Sequence, residues 1–133
     1  NGPSDAAYAA LNAVRKRAYW NPSANTQLQP TDGTSLEMSG LTQEEFREAV
    51  RAERFKEFIL EGVRWFDLKR WHILVKTIKE KVPSTDLKYQ NISTKHYFLP
   101  IPSKQIALNP NLKQNWGYGN ETTGDPYTTK GWK

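Results

Sequence analysis

The sequence predicts an all-α fold with long irregular loops and an irregular C-terminal tail. Three observations carry that expectation. Apolar residues recur at helical spacing over residues 5–18. A complete helix-start signal stands at Thr42–Glu45. A broad apolar segment runs from Arg64 to about Lys81 and stops before Pro83.

In the first helix, Ser4 is placed to accept a hydrogen bond from the opening turn. Asp5 follows where a carboxylate suits the helix dipole. Tyr8, Leu11, Val14 and Ala18 form the apolar stripe. The Arg15-Lys16-Arg17 cluster sits at the end that favours cations, and Asn21-Pro22 ends the helix at the latest. Residues 20–40 read as a polar loop with Pro22, Pro30, Gly33 and Gly40, and Asp32-Gly33 reads as a turn. A loop of this length inside a domain is often functional.

Thr42 and Glu45 then make a capping box, flanked by Leu41 and Phe46 at the staple positions. The helix they start carries Phe46, Ala49, Val50, Phe55, Phe58 and Ile59. That set is wider than one stripe and predicts packing on two sides. Gly62 reads as the residue that closes this helix after Leu60-Glu61. A further helix covers Arg64 to about Lys81, and a break near Trp71-His72 stays open. Beyond residue 84 the helical periodicity is lost. Residues 97–102 read as an extended apolar segment holding two prolines, and Ser103 as the cap of a short turn over Lys104–Ala107.

The chain has 133 residues, room for one domain with one core, and 1–133 is read as a single domain. Apolar residues make up 37%, a low share that suits much loop or a piece of something larger. The net charge is +5. Residues 1–40 carry three positive and three negative charges, 41–82 ten and eight, and 83–133 six and three. With no run of five like charges, a nucleic-acid patch is disfavoured. Cysteine is absent, which excludes disulfides, thiolate–zinc sites and thiol nucleophiles. No apolar run reaches the roughly 18 residues that span a bilayer, and the first residues lack the pattern of an export signal. The expectation is that any export signal lies upstream of residue 1.

Catalytic arrangements find little support. Glu53, Glu57 and Glu61 recur every four residues and share one helix face. A retaining glycosidase instead sets two carboxyls about 5–5.5 Å apart across a cleft. Arginines 47, 51, 54, 64 and 70 lie among these acids, which suits structural ion pairs. Arg64, Asp67 and Arg70 follow at three-residue spacing beside Trp65, Phe66 and Trp71. Such charges read as partly buried partners that set the angle between two helices. His72 and His96 are 24 residues apart with no metal-ligand spacing, so no metal or cofactor site is predicted. No serine stands in a G-x-S-x-G or S-x-x-K pattern, and there is no Gly-rich phosphate loop.

Three phrases together resemble the SusD/RagB family. Residues 11–18, LNAVRKRA, resemble its "LN-x-VR-x-RA" helix. Residues 51–71, RAERFKEFILEGVRWFDLKRW, resemble its "ER-x-x-E-x-x-x-EG-x-R-x-x-DL-x-RW" block. Leu99-Pro100-Ile101-Pro102, Ile106, Asn109-Pro110, Leu112 and then Gln114-Asn115-Trp116-Gly117-Tyr118 resemble its closing motif. Order and spacing agree across about residues 8–118. Gln105 stands where the family usually has Glu, and Trp116 where Pro is common. Family members are much longer, so the resemblance makes this the C-terminal part of such a protein.

The resemblance implies tetratricopeptide-like helical pairs and a surface-exposed outer-membrane lipoprotein of Bacteroidetes-type bacteria. Its lipid anchor would lie upstream of this chain and be its only link to the membrane. The implied role is capture of oligosaccharide, as partner of a SusC-type TonB-dependent transporter in polysaccharide utilisation. The family brings no catalytic residues, so the chain is expected not to be an enzyme. The shared block then reads as scaffold: Glu53, Arg54, Glu57, Glu61, Gly62, Arg64, Asp67, Arg70 and Trp71. Candidate sugar contacts are the aromatics Tyr19 and Trp20 at the mouth of the long loop, with Trp116 and Tyr118 near the end. Two other readings stand beside this one. One is a helical scaffold that docks the transporter without touching glycan. The other, a glycoside hydrolase, lacks an opposed carboxylate pair.

Overall fold

Helix α1 spans Asp5–Ala18, and Ser4 caps it by accepting from the Ala7 N–H, as its sequence predicts. The computed structural model describes residues 2–119, 124–128 and 130–131. Two compact units divide the chain, Asn1–Gly62 and Val63–Lys133. The described elements are helical apart from one two-stranded ribbon, in agreement with the all-α expectation.

In the first unit, α1 packs against α2, Gln43–Glu57. The ribbon follows α1 directly, with β1 at Trp20–Asn21 and β2 at Thr26–Gln27 pairing antiparallel. The side chain of Asn21 accepts from the N–H groups of Ser23 and Ala24, at 3.1 and 3.2 Å. Asn21-Pro22 therefore shapes a hairpin turn, and α1 stops at Ala18, within the limit that the sequence set. Residues 20–40 are thus not wholly irregular.

The rest of that loop is held by one face of α1. Tyr8, Asn12 and Arg15 lie four and three residues apart on it. The Leu41 N–H donates to the Tyr8 hydroxyl at 2.7 Å. Asn12 Nδ2 donates to the Met38 carbonyl at 3.0 Å while its Oδ1 accepts from the Met38 N–H at 2.8 Å. Arg15, 0% exposed, donates to the carbonyls of Leu36 and Ser35, to the Thr34 hydroxyl and to the Glu53 carboxylate on α2. A polar loop lies along a helix because the helix supplies the partners its backbone would otherwise take from water.

The capping box at the start of α2 is present in both directions, Glu45 N–H to Thr42 Oγ1 and Thr42 N–H to Glu45. The far end departs from the sequence reading. The helix stops at Glu57 with Phe58 as its cap, and Leu60 turns left-handed at φ +68° while 99% exposed. Gly62, at φ +76°, lies beyond that turn and does not close the helix. Glu61 is therefore off the helix, and the expected stripe of three carboxylates keeps only Glu53 and Glu57.

The second unit contains α3 Arg64–Arg70, α4 Leu74–Lys81, α5 Leu87–Asn91, a 3-10 turn at Thr94–Tyr97 and α6 Ser103–Leu108. The open question at Trp71-His72 resolves as a break. His72 adopts φ +56°, its N–H bonds to the Lys69 carbonyl, and the Ile73 N–H reaches back to the Leu68 carbonyl. That is the left-handed helix stop usually made by glycine. Leu68, Leu74 and Tyr97 form the core, with Ile73, Val75, Ile78 and Ile92 around them. The Tyr97 hydroxyl accepts from the Leu74 N–H at 2.9 Å and so satisfies a donor that opens α4.

Helix α5 and the 3-10 turn interrupt a stretch that lacks helical periodicity. Asp86 caps α5 through the Lys88 N–H at 2.7 Å. Ser103 is the first residue of α6, not its cap; Pro102 holds that position. The extended segment after Tyr97 is clamped by side chains from the closing motif. Gln114 accepts from the Ile101 N–H and donates to its carbonyl, both at 2.8 Å. Asn115 donates to the Leu99 carbonyl at 2.7 Å, and the Tyr118 hydroxyl to the Phe98 carbonyl at 3.1 Å.

Two predictions follow from this frame. Replacing Arg15 by Met leaves a buried carboxylate facing lost donors and should lower unfolding free energy by about 3–5 kcal/mol in urea titrations. Arg17→Ala, which breaks the more exposed pair to Glu57, should change it by less than about 1 kcal/mol. The second concerns acid. The Thr42 hydroxyl, and then its N–H, hold the Glu45 carboxyl below its ordinary pKa. Its contribution to stability is thus complete above the ordinary glutamate value and fades as pH falls through the lowered one. Glu45→Gln should therefore weaken the protein at pH 7, and the gap in thermal midpoint to the parent should shrink as pH falls below the ordinary glutamate range.

Candidate functional site

The aromatics expected at the loop mouth sit on the α1–ribbon junction. Tyr19 is the C-cap of α1, half-buried, with the Arg15 guanidinium 6.0 Å from its ring centroid. Trp20 is 45% exposed on β1, opposite Gln27, whose amide is tied back to the Lys16 carbonyl at 3.2 Å. The tight turn after Asn21 and the α1 end hold this indole on a rigid base.

The second pair, Trp116 and Tyr118, lies in an aromatic cluster of the second unit. Phe98 stacks on Tyr127 with centroids 5.2 Å apart, and Trp116 meets Tyr127 edge-on at 6.1 Å. Tyr118 meets His96 edge-on, and the Lys95 ammonium lies 5.4 Å from the Tyr118 ring centroid. A cation at that distance is attracted by the ring face. Tyr118 therefore serves two ends at once, clamping the Phe98 backbone and seating Lys95.

Asp125 organises the turn that brings Tyr127 in. Burial would raise its pKa, but hydrogen bonds from the Thr94 and Thr128 hydroxyls and from the Tyr127 N–H prevail and lower it. Burial raises the Tyr127 phenol, helped by the Asp125 charge and Tyr118, so it stays protonated at neutral pH. Lys95, Phe98 and Tyr127 escaped the sequence reading. Phe98 looked like part of an apolar strand and Tyr127 like tail, and no spacing links them. Of that tail, residues 120–123, 129, 132 and 133 lie outside the described residues.

The residues expected to be scaffold fall in both units. Glu53 meets Arg15, and Lys56 at 3.4 Å; Glu57 meets Arg17; the Arg54 guanidinium covers the Phe58 ring at 4.6 Å. Lys56 also reaches Asp32 at 3.0 Å, and Thr34 and Lys56 hold that carboxyl well below the usual range. In the second unit Asp67, 2% exposed, pairs with Arg70, and Arg64 lies 6.0 Å from the Trp71 ring centroid. Between α1 and α2 runs an open groove of about 430 Å³, lined by Ala7, Ala10, Val14, Phe46, Val50 and Phe58 among others. Among the described residues no group of three His, Asp or Glu side chains is placed to hold a metal ion, and no helix is long and apolar enough to cross a membrane.

A model of the SusD family matches residues 1–118. The chain belongs to the SusD family. It is 36% identical over 121 residues to a SusD-like protein of Formosa agariphila, a match covering 86% of this chain and 20% of that protein. The crystal structure of a SusD homolog from Bacteroides thetaiotaomicron superposes with a TM-score of 0.63 at 35% identity, over 86% of this chain and 22% of that one. The helical pairs are thus of the tetratricopeptide-like type of that homolog. The chain spans about one fifth of the length of these relatives. The family motifs now have physical content. Asn12 and Arg15 are loop anchors, while Gln114, Asn115 and Tyr118 clamp residues 98–101.

Gly117 is the point where that clamp is tightest. It sits at φ +79°, and an added Cβ would meet the Lys95 Cβ at 2.8 Å, closer than packed carbons allow. Gly117→Ala should push Lys95 away from Tyr118, lower stability by about 1–3 kcal/mol, and alter the near-ultraviolet circular dichroism of the aromatic cluster. Gly33→Ala, at a left-handed turn with open space around it, should leave that spectrum unchanged.

Proposed function

We propose that the chain is part of a glycan-binding component of a SusC/SusD-type nutrient uptake system. It captures oligosaccharide at the outer membrane, as a surface lipoprotein that partners a TonB-dependent transporter, and is not an enzyme. Family membership across residues 1–118 carries this reading. The carboxylate geometry is consistent with it. Glu53 and Glu57 each face an arginine from α1, which suits structural pairing better than proton transfer. In this chain the stacking contacts would come from Trp20 and Trp116, with Tyr19 and Tyr118 holding their surroundings.

A second reading has one observation in its favour. The groove between α1 and α2 is apolar and open, as a helix-docking surface would be. On that reading the chain is a scaffold for the transporter and leaves glycan contact to other residues.

Affinity electrophoresis of the purified protein through a panel of soluble glycans separates the readings. On the first, at least one glycan retards the protein, and Trp20→Ala or Trp116→Ala weakens that binding by about tenfold, the loss of one ring contact. Binding unchanged in both variants would favour the scaffold. Release of reducing sugar that Glu57→Gln abolishes would overturn both.

A further inference from the structure

Dividing the chain at its structural boundary changes the meaning of its charge. Residues 1–62 hold seven Lys and Arg against nine Asp and Glu, a net of −2. Residues 63–133 hold twelve against five, a net of +7. The whole basic excess of the molecule belongs to the second unit. A split into thirds of the sequence hides this, because residues 41–62 bring six acids and only four bases into the middle third.

Among the described residues no carboxylate pairs with Lys95. The second unit offers Asp67 to Arg70 and Glu80 to Lys76, the latter at 3.7 Å. Asp125 is taken up by Thr94, Thr128 and the Tyr127 N–H. Lys95 lies instead over the Tyr118 ring, which attracts a cation without neutralising it. The same cluster shows an aromatic surface to solvent, with Phe98 40% exposed and Trp116 half-buried. Apolar ring faces beside the Lys95 ammonium fit a sugar ring that carries an anion. The C–H face of the sugar stacks, and the anion meets a lysine held in place.

We propose that the glycan taken by this protein is anionic, carboxylated or sulfated, and that the Lys95–Phe98–Trp116–Tyr118 surface is a contact site for it. This rests on the glycan-binding reading above and narrows its ligand class. Lys95 supplies the charge contact. Tyr118 positions it, and Phe98 and Trp116 supply the apolar face. The positive field of the unit concentrates a polyanion near the site and makes binding sensitive to salt.

The test uses two pairs of polymers that differ only in charge: polygalacturonate with fully methyl-esterified homogalacturonan, and dextran sulfate with dextran. Binding is read by isothermal titration calorimetry and affinity electrophoresis at low and high sodium chloride. One charged member should bind, its neutral counterpart should not, and the preferred pair tells carboxylate from sulfate. Lys95→Gln should weaken binding about fivefold, the effect of losing one partly exposed charge contact. Lys76→Gln, at a lysine already facing Glu80, should not. Circular dichroism of both variants confirms that they fold. Equal losses in the two variants would mean unspecific charge attraction and overturn the site. Neutral members binding as well as charged ones would overturn the anionic class while leaving glycan binding intact. Failure of all four polymers, together with a neutral glycan that does bind, would also overturn the class; failure of every glycan would remove the underlying reading.

Discussion

A guanidinium shut off from water needs acceptors for its donors, and Arg15 finds four of them in two segments at once. The carbonyls of Leu36 and Ser35 and the hydroxyl of Thr34 come from the loop, and the carboxylate of Glu53 comes from α2. The geometry of the first unit depends on this convergence. Without the charge in that place, the loop backbone and Glu53 would each be buried with donors or acceptors unmet. Neighbouring contacts repeat the arrangement at lower stake. Asn12 treats Met38 as a strand partner, and the Tyr8 hydroxyl covers the Leu41 N–H immediately before the α2 capping box. A long polar loop is thereby turned into a fixed layer on α1, and the hairpin carrying Trp20 leaves the same helix at a defined angle.

The second unit solves a similar problem by a different route. Its buried centre is small, with Leu68, Leu74 and Tyr97 at its heart. The extended chain that follows has no sheet to join among the described residues, and amide side chains stand in for a neighbouring strand. Gln114 meets Ile101 with both halves of its amide, and Asn115 and Tyr118 take the carbonyls of Leu99 and Phe98 before it. The aromatic cluster rests on that clamp. Function is then a matter of what the clamp leaves facing outward: rings that can stack, and the Lys95 ammonium, held over the Tyr118 ring.

The comparison identifies a SusD-family chain and its helical type, but covers about one fifth of the relatives' length. Within the matched span, Arg15, Glu53, Asp67 and Gln114 do structural tasks. Ligand selection is therefore sought in residues that the shared pattern does not specify. Trp116, half-buried, meets Tyr127 edge-on in that cluster.

Some of this was written in the sequence, and the reason is locality. Helix starts depend on residues within four positions of each other, so Ser4 and the Thr42–Glu45 box were legible, as was the apolar spacing of α1. Helix ends were less so. Leu60 and His72 take left-handed conformations that the sequence reserves for glycine, and at His72 the core contacts of Leu68, Ile73 and Leu74 hold the break in place. Arg15 looked like one of three terminal cations, because its partners lie 19 to 38 residues away. The same holds for Phe98 and Tyr127, and for the +7 charge of the second unit, which exists only once the boundary after Gly62 is known. Hydrogen bonds along one helix are set by neighbours in the chain. Which buried charge meets which, and which rings share a surface, is set by packing, and only the tertiary structure decided it.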